Sequence, residues 1–380
     1  MSFSELSPEL LYQILHPLRA DGDFLSLKAC SLTCGSLVSP SQTYLFHTIR
    51  IGPPFPMPAQ FLKALQRYSH IQKYVKRVEV SEAGRVWMGS DVALDDMLKI
   101  LSSSTISLQI VRYLPADSAN LLLHDLPALQ NLTRLEELEI AQSRNHTPES
   151  ADRYTIARFC NAFPHLRILD LRQVTSDSSA ASHRKPALQS PTFQLEVLKI
   201  ASHRGRRILK WILPAIFNLK TLCLYHSSRH KNGDHARRAV SCIISGATSL
   251  EELHLNMAEQ NTKELSYVST PLRQRDSLRT LVMSALLPLD DAIQVAMAFL
   301  QRLKAHLFLE HIVITYTVKS GWYTSGFENF EDVVLGPQFP ALKWLELRSE
   351  KVEYPEEGLV KMFPRLSEQR KLLLTVQKVK

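Results

Sequence analysis

Glycine is scarce in this chain, at 12 of 380 residues. No glycine-rich loop of the kind that cradles phosphates is present, so no nucleotide site built on such a loop is expected. There is no Gly-x-Ser-x-Gly elbow and no His-Glu-x-x-His pair, and nothing supplies a nucleophile with an adjacent base. The chain therefore reads as a non-enzyme with no cofactor and no metal. Its five cysteines, at 30, 34, 160, 223 and 242, are an odd and scattered set. They read as reduced thiols, and Cys30 and Cys34 lack the second pair that a zinc site needs. No run of about 18 apolar residues exists to span a membrane. The first residues carry Glu5 and Glu9 and no basic stretch, so no secretory signal is expected. The expected location is intracellular, cytoplasm or nucleus, so the sequons at Asn131 and Asn145 are coincidental.

The charge balance is basic but diffuse, with a formal net charge of +8 and a pI near 9.2. Basic runs occur at His203 to Arg207 and at Arg229 to Arg238, with a lesser one at His183 to Lys185. They suit an acidic partner or phosphates. No aromatic residues alternate with them as single-strand stacking requires, so a solvated rim is the expected reading. Cys223, His226, His230, Asp234 and His235 read as a polar loop rather than a metal site, because no second ligand group has the spacing.

The N-terminus is built differently from the rest. Pro8 fits a first helical turn, Ser7 is placed to cap it and Glu9 suits the positive end of the helix dipole. Leu10, Leu11, Ile14, Leu15 and Leu18 cover more than one stripe of that helix. Asp23 to Cys34 forms a second helix, Ser39 to Phe46 opens a third, and His47 to Ile51 alternates like a short strand. Three small helices make a core too small to stand unaided, and an apolar exterior on such a unit marks a partner site. The competing reading places Leu10, Ile14, Leu27 and Leu32 in the module's own core. Residues 52–58 then hold four prolines, a composition that favours extended, semi-rigid chain.

Beyond the prolines the chain repeats the form apolar-x-x-apolar-x-apolar. It occurs at Leu135/Leu138/Ile140, Leu166/Leu169/Leu171, Leu195/Leu198/Ile200, Leu219/Leu222/Leu224 and Leu250/Leu253/Leu255. It continues at Leu278/Leu281/Met283, Leu309/Ile312/Ile314 and Leu342/Leu345/Leu347. Two weaker copies come first, Val75/Val78/Val80 and Leu108/Val111/Tyr113, so the leading positions are spaced by 24 to 33 residues. Helical patterns and Phe-Pro or Phe-Asn turns precede several strands. Strand and helix alternating at this period predict parallel strands with outer helices, in a curved solenoid. Lys371 to Val376 reads as a final capping strand.

The first 50 or so residues resemble the F-box family. The shared features are Leu6, Pro8, Glu9, Leu10, Leu11, Ile14 and Leu15, then Phe24, Leu25, Leu27, Ala29, Cys30 and Cys34, then Leu45 and Phe46. Ser7 replaces one proline of the usual opening, and Leu37 stands where many members carry tryptophan. Residues 75 to 350 resemble the leucine-rich repeats in the irregular form that often follows an F-box, without a regular asparagine ladder. The fold class expected is α/β: a small three-helix F-box at 1–51, a Pro-rich linker at 52–58, and a leucine-rich-repeat-like solenoid at 59–380 capped at about 355–380.

The resemblance implies docking to a Skp-type adaptor, and through it to a cullin–RING ubiquitin ligase, by Leu6, Pro8, Glu9, Leu11, Ile14, Leu15, Leu45 and Phe46. The solenoid is then expected to hold a target protein on the strand residues that alternate with the repeat leucines. Those are Asp170, Arg172, Lys199, Tyr225, His254, Asn256, His311, Trp344, Glu346 and Arg348, with Glu137 and Glu139 beside them. Trp344 and Arg348 are the expected anchors, since aromatic and arginine side chains dominate binding energy; the competing reading packs Trp344 under the C-terminal cap. The whole reads as a substrate receptor for ubiquitin-dependent degradation. The alternatives are a scaffold whose helices no longer dock and, less favoured, a nucleic-acid-binding repeat protein.

Overall fold

The computed structural model describes residues 6–83, 91–113, 129, 132–142, 153–171, 189–201, 206–226, 234–257, 266–272, 276–285, 287–303, 308–317, 327–349 and 356–376. The chain divides into two compact units, Met1–Leu166 and Arg167–Lys380.

The first unit opens with α1 (Pro8–Ala20), α2 (Phe24–Thr33) and α3 (Gly35–Leu45). Ser7 and Asp23 cap α1 and α2 by accepting backbone N–H groups of Leu10 and Ser26. The third helix starts at Gly35, four residues before the expected Ser39, and carries Pro40 inside it. Pro40 is buried, so its packing offsets the hydrogen bond that proline removes from a helix interior. Then come β1 (Thr48–Ile51), α4 (Pro58–Arg67), a 3-10 turn over Ser69–Tyr74, β2 (Arg77–Ala83), α5 (Val92–Leu101), β3 (Ser107–Tyr113) and β4 (Glu137–Gln142).

These four strands pair in chain order and in parallel. Two expectations change here. First, β1 is a strand of the repeat sheet, with Ile49 and Ile51 level with Val78 and Val80. The three-helix module therefore ends near Phe46 rather than at 51. Second, the Pro-rich stretch is a closed turn rather than an extended linker. Gly52 N–H donates to the Pro56 carbonyl at 3.0 Å, Phe55 N–H to the Gly52 carbonyl at 2.7 Å, and Ser81 Oγ to the Pro53 carbonyl at 2.7 Å. Ser39 Oγ and the Tyr74 hydroxyl, 3.2 Å apart, link α3 to the 3-10 turn.

The register also corrects one repeat. Leu108 and Ile110 are level with Val78 and Val80, and with Leu138 and Ile140. The leading residue of that unit is thus Thr105, not Leu108. The spacings become 30 and 30 (75 to 105 to 135) in place of 33 and 27.

The second unit contains β5 (Ile168–Leu171), β6 (Val197–Ala201), β7 (Thr221–His226), β8 (Glu252–Met257), β9 (Thr280–Ala285), β10 (His311–Tyr316), β11 (Trp344–Ser349) and β12 (Leu372–Val376). They too pair in parallel and in chain order. Before most of them comes a helix: α7 (Arg206–Ile212), α8 (Asp234–Gly246), α9 (Ser266–Leu272), α10 (Leu289–Leu303), α11 (Phe327–Val334), and finally α12 (Glu356–Met362) with α13 (Pro364–Glu368). In the first unit, α6 (Arg153–Asn161) precedes the turn into Leu166. Every repeat leucine from Leu135 to Leu347 is buried, because strand alternation turns these positions toward the helices. Phe163 and Phe339 are buried at the turn before their strands, but in the α7 repeat that place is taken by Ile216, while Phe217 is exposed. No helix among the described residues is long and apolar enough to cross a membrane.

One ordering device recurs at strand entries from β1 to β4 and again from β5 to β11. The residue before the strand offers its carbonyl to two successive N–H groups of the next strand's start. Thr221 and Lys220 donate to Glu196, Thr280 and Arg279 to Glu251, and Trp344 and Lys343 to Glu310. From β5 to β11 the side chains at this position alternate in sign, Arg167, Glu196, Lys220, Glu251, Arg279, Glu310 and Lys343, and the residue before β12, Lys371, is again a cation. Arg167 Nη2 lies 2.8 Å from Glu196 Oε1, and Glu310 lies between Arg279, at 3.9 Å, and Lys343, at 2.5 Å. The hydrogen bond from Arg167 and the charges of Arg167 and Lys220 hold the Glu196 carboxyl below its ordinary range, and Lys343 and Arg279 do the same to Glu310.

Candidate protein-interaction surfaces

The three-helix module closes its own core with Leu11, Leu15, Leu27 and Leu37, and Leu6, Leu18, Cys30, Cys34, Tyr44 and Leu45 pack around it. The α1–α3 seam is polar at its edge. Tyr44 OH donates to the Tyr12 carbonyl at 3.0 Å, Tyr12 OH lies 3.2 Å from Thr43 Oγ1, and the two tyrosine rings meet edge to face at 5.9 Å. The residues expected to dock an adaptor therefore separate by role. Leu11 and Leu15, 3% and 1% exposed, belong to the core; Leu6, Leu45 and Phe46 are half-buried; Pro8, Glu9 and Ile14 lie on the surface. Of the residues that the competing reading placed in the core, only Leu27 is there. Leu10 is 46% exposed, Ile14 48% and Leu32 78%. Pattern alone misassigned them because an apolar helix without a polar face does not show which side is inward.

The open face of the first unit is organised by Arg77. Its Nε donates to Glu79 Oε1 at 3.0 Å, Nη1 to Ser107 Oγ at 3.3 Å and Glu137 Oε1 at 3.4 Å, and Nη2 to Gln109 Oε1 at 3.1 Å and Glu139 Oε2 at 3.1 Å. That occupies all the donors of a guanidinium. Burial disfavours the Arg77 charge, yet the pull of Glu137, Glu79 and Glu139 outweighs it and raises the pKa. Arg50 adds a second cation, with Nε 2.6 Å from Glu79 Oε2. Glu137 and Glu139 are thus on the expected face but hold sheet strands together.

On the second unit, the expected residues fall on the open-face rows set by the strand register. Asp170, Lys199, His254 and Glu346 share the row between the buried leucines. His311 and Trp344 begin their strands, and Tyr225, Asn256 and Arg348 follow the second leucine position. Arg172 lies outside the described residues, as do most of the basic runs. Lys199 Nζ stands 3.8 Å from the buried Asp170. His254 Nε2 is 2.7 Å from Glu252 Oε1, a contact that holds the Glu252 carboxyl low.

The densest group lies at β10–β12. Glu346 accepts from Arg348 Nη2 at 2.9 Å and from Thr375 Oγ1 at 2.5 Å. Burial works against its charge, but Thr375, Arg348 and His311 outweigh that and lower its pKa. The buried Nε2 of His311 is 3.4 Å from Glu346 Oε2, outside hydrogen-bonding geometry. Burial lowers the His311 pKa against the pull of Glu346. The Trp344 ring stands edge-on to His311 at 6.2 Å and is 42% exposed. Leu373 on the neighbouring strand is also exposed. Sequence reasoning found Trp344, Glu346 and Arg348 by alternation, and missed Thr375 and Leu373 because β12 was read only as a cap. Among the described residues no group of His, Cys, Asp or Glu side chains is arranged to hold a metal.

No protein-family profile and no curated protein matches this chain. Among solved structures it is similar to the protein in the crystal structure of the TLR13–ssRNA13 complex, at 14% identity and a TM-score of 0.34. That likeness covers 80% of this chain and 50% of the other, so the chain spans about half the length of the protein it matches.

Proposed function

We propose that this chain is the substrate-recognition subunit of an SCF-type cullin–RING ubiquitin ligase, an F-box protein with leucine-rich-type repeats. The α1 surface docks a Skp-type adaptor through Pro8, Glu9 and Ile14, with Leu10 added beside them. Leu11, Leu15, Leu6 and Leu45 support that surface from beneath. A target protein sits on the open sheet face, with Trp344 as its aromatic anchor and Arg348 held in place by Glu346. The chain performs no chemistry itself. A thiol on another subunit delivers ubiquitin, and this protein raises the target's local concentration there.

The observation that carries the reading is the exposure of Leu10 and Ile14 on a module whose core is already filled. Apolar side chains left outside a closed core are stabilised by a partner. Leu37, 5% exposed, fills the core where many family members carry tryptophan, so the departure leaves no gap to explain. The test is co-purification of the full chain with a Skp-type adaptor. Ile14→Asp should abolish it without unfolding the chain. Adaptor recovery unchanged by Ile14→Asp, or absent for the unaltered chain, leaves only the scaffold reading.

A further inference from the structure

Helix α2 is apolar on both sides, yet it is buried on one. Leu27 is in the module core, while Leu25 is 82% exposed and Leu32 78%. Lys28 and Ala29 between them are exposed as well. Positions 25, 28, 29 and 32 follow the i, i+3, i+4, i+7 spacing, so they form one stripe on the side away from Leu27. Such a stripe is the footprint of a helix that packs against another helix. Nothing in the described structure covers it.

The charge within the stripe selects the occupant. No carboxylate among the described residues lies within ion-pair distance of Lys28. A second copy of this chain packed on the stripe by a two-fold axis would set Lys28 against its own mate near the axis, a like-charge contact that is destabilising. A partner carrying a carboxylate opposite Lys28, flanked by apolar residues, meets no such penalty and gains an ion pair partly shielded from water. The chain's net charge of +8 favours the same partner through long-range attraction.

We infer that the outer stripe of α2, Leu25, Lys28, Ala29 and Leu32, is a docking surface for an acidic amphipathic helix of a partner protein. It is separate from the α1 surface of the proposed function. The helix is ten residues long, about 15 Å, so this contact alone is well below the size of a stable interface. The association is weak and short-lived unless the partner also binds elsewhere.

The experiment places a photo-cross-linking amino acid at position 29 of the full chain, expressed in its native cells, and identifies the cross-linked peptide by mass spectrometry. The expected result is one partner segment that is helical in pattern and rich in Asp or Glu. Lys28→Glu should lower the cross-linking yield at least fivefold, and a Glu→Lys change in that segment should restore it. Ile14→Asp should leave it unchanged. Cross-links to this chain itself, to no defined segment, or to a segment insensitive to Lys28→Glu overturn the inference. So does loss of the cross-link in Ile14→Asp, which would make α2 part of the α1 surface. Because the α1 assay reads adaptor recovery and this one reads the α2 cross-link, either can fail alone.

Discussion

Arg77 Nη2 donates to Glu139 Oε2 at 3.1 Å, joining residues 62 positions apart across two strand spacings. The same guanidinium reaches Glu79, Ser107, Gln109 and Glu137. It is the tie of the first unit's open face, and removing it leaves three carboxylates close together.

Arg77→Met should therefore lower stability at neutral pH by about 1–2 kcal/mol. The deficit should shrink as ionic strength rises, because salt screens the repulsion among the carboxylates left behind. Urea denaturation of both chains at low and at high salt checks this. A deficit constant with salt would mean that lost packing rather than charge explains the change.

Thr105 fills an apolar leading position, fully buried, with its Oγ1 unpaired. A valine has the same shape without the polar atom. Thr105→Val should raise stability by about 1 kcal/mol, read as a higher midpoint in urea.

His311 and Glu346 both have lowered pKa values in the folded chain. For each, the unfolded chain binds the proton more readily, so stability rises with pH across the interval between the two values. The His311 contribution is complete above its unfolded value near 6.5 and is lost as pH falls through the lower folded one. The Glu346 contribution is complete above about 4.5 and is lost at lower pH still. His47, held low first by burial and then by Arg19, Arg77 and Lys76, acts in the same direction as His311. His311→Gln should flatten the stability curve just below pH 6.5 and leave the acid limb below pH 4.5 in place.

On α11, Glu331 is buried and its Oε1 accepts the backbone N–H of Leu366 at 2.8 Å, at the start of α13. Glu331→Ala strands that N–H and should cost about 1–3 kcal/mol. Glu331→Gln keeps an acceptor and should retain most of the stability. Equal losses in the two variants would assign the effect to the lost charge instead.

Much of the repeat array is legible because its signal is dense. Leucine and isoleucine at fixed offsets are the positions that helices cover, and alternation then assigns the open face. Thr105 broke the pattern because a hydroxyl can occupy an apolar site when its shape fits, so the neighbouring repeat was set three residues late. β1 is grouped by its sequence with the helices before it because a four-residue strand has no meaning without its partner β2. The outward stripe of α2 was hidden by its leucines, which look the same whether they face a core or a partner. The Arg77 network and the alternating charges were not legible at all. Each links residues 24 to 33 positions apart or more, whose proximity depends on strand register.

From β5 to β11 that alternation sets a parity rule. Deleting one repeat would bring two cations, or two anions, side by side at the entry to adjacent strands. Deleting two would keep opposite signs together. Removing a pair of repeats from this stretch should therefore cost less stability than removing a single one, read as the urea midpoints of the two shortened chains.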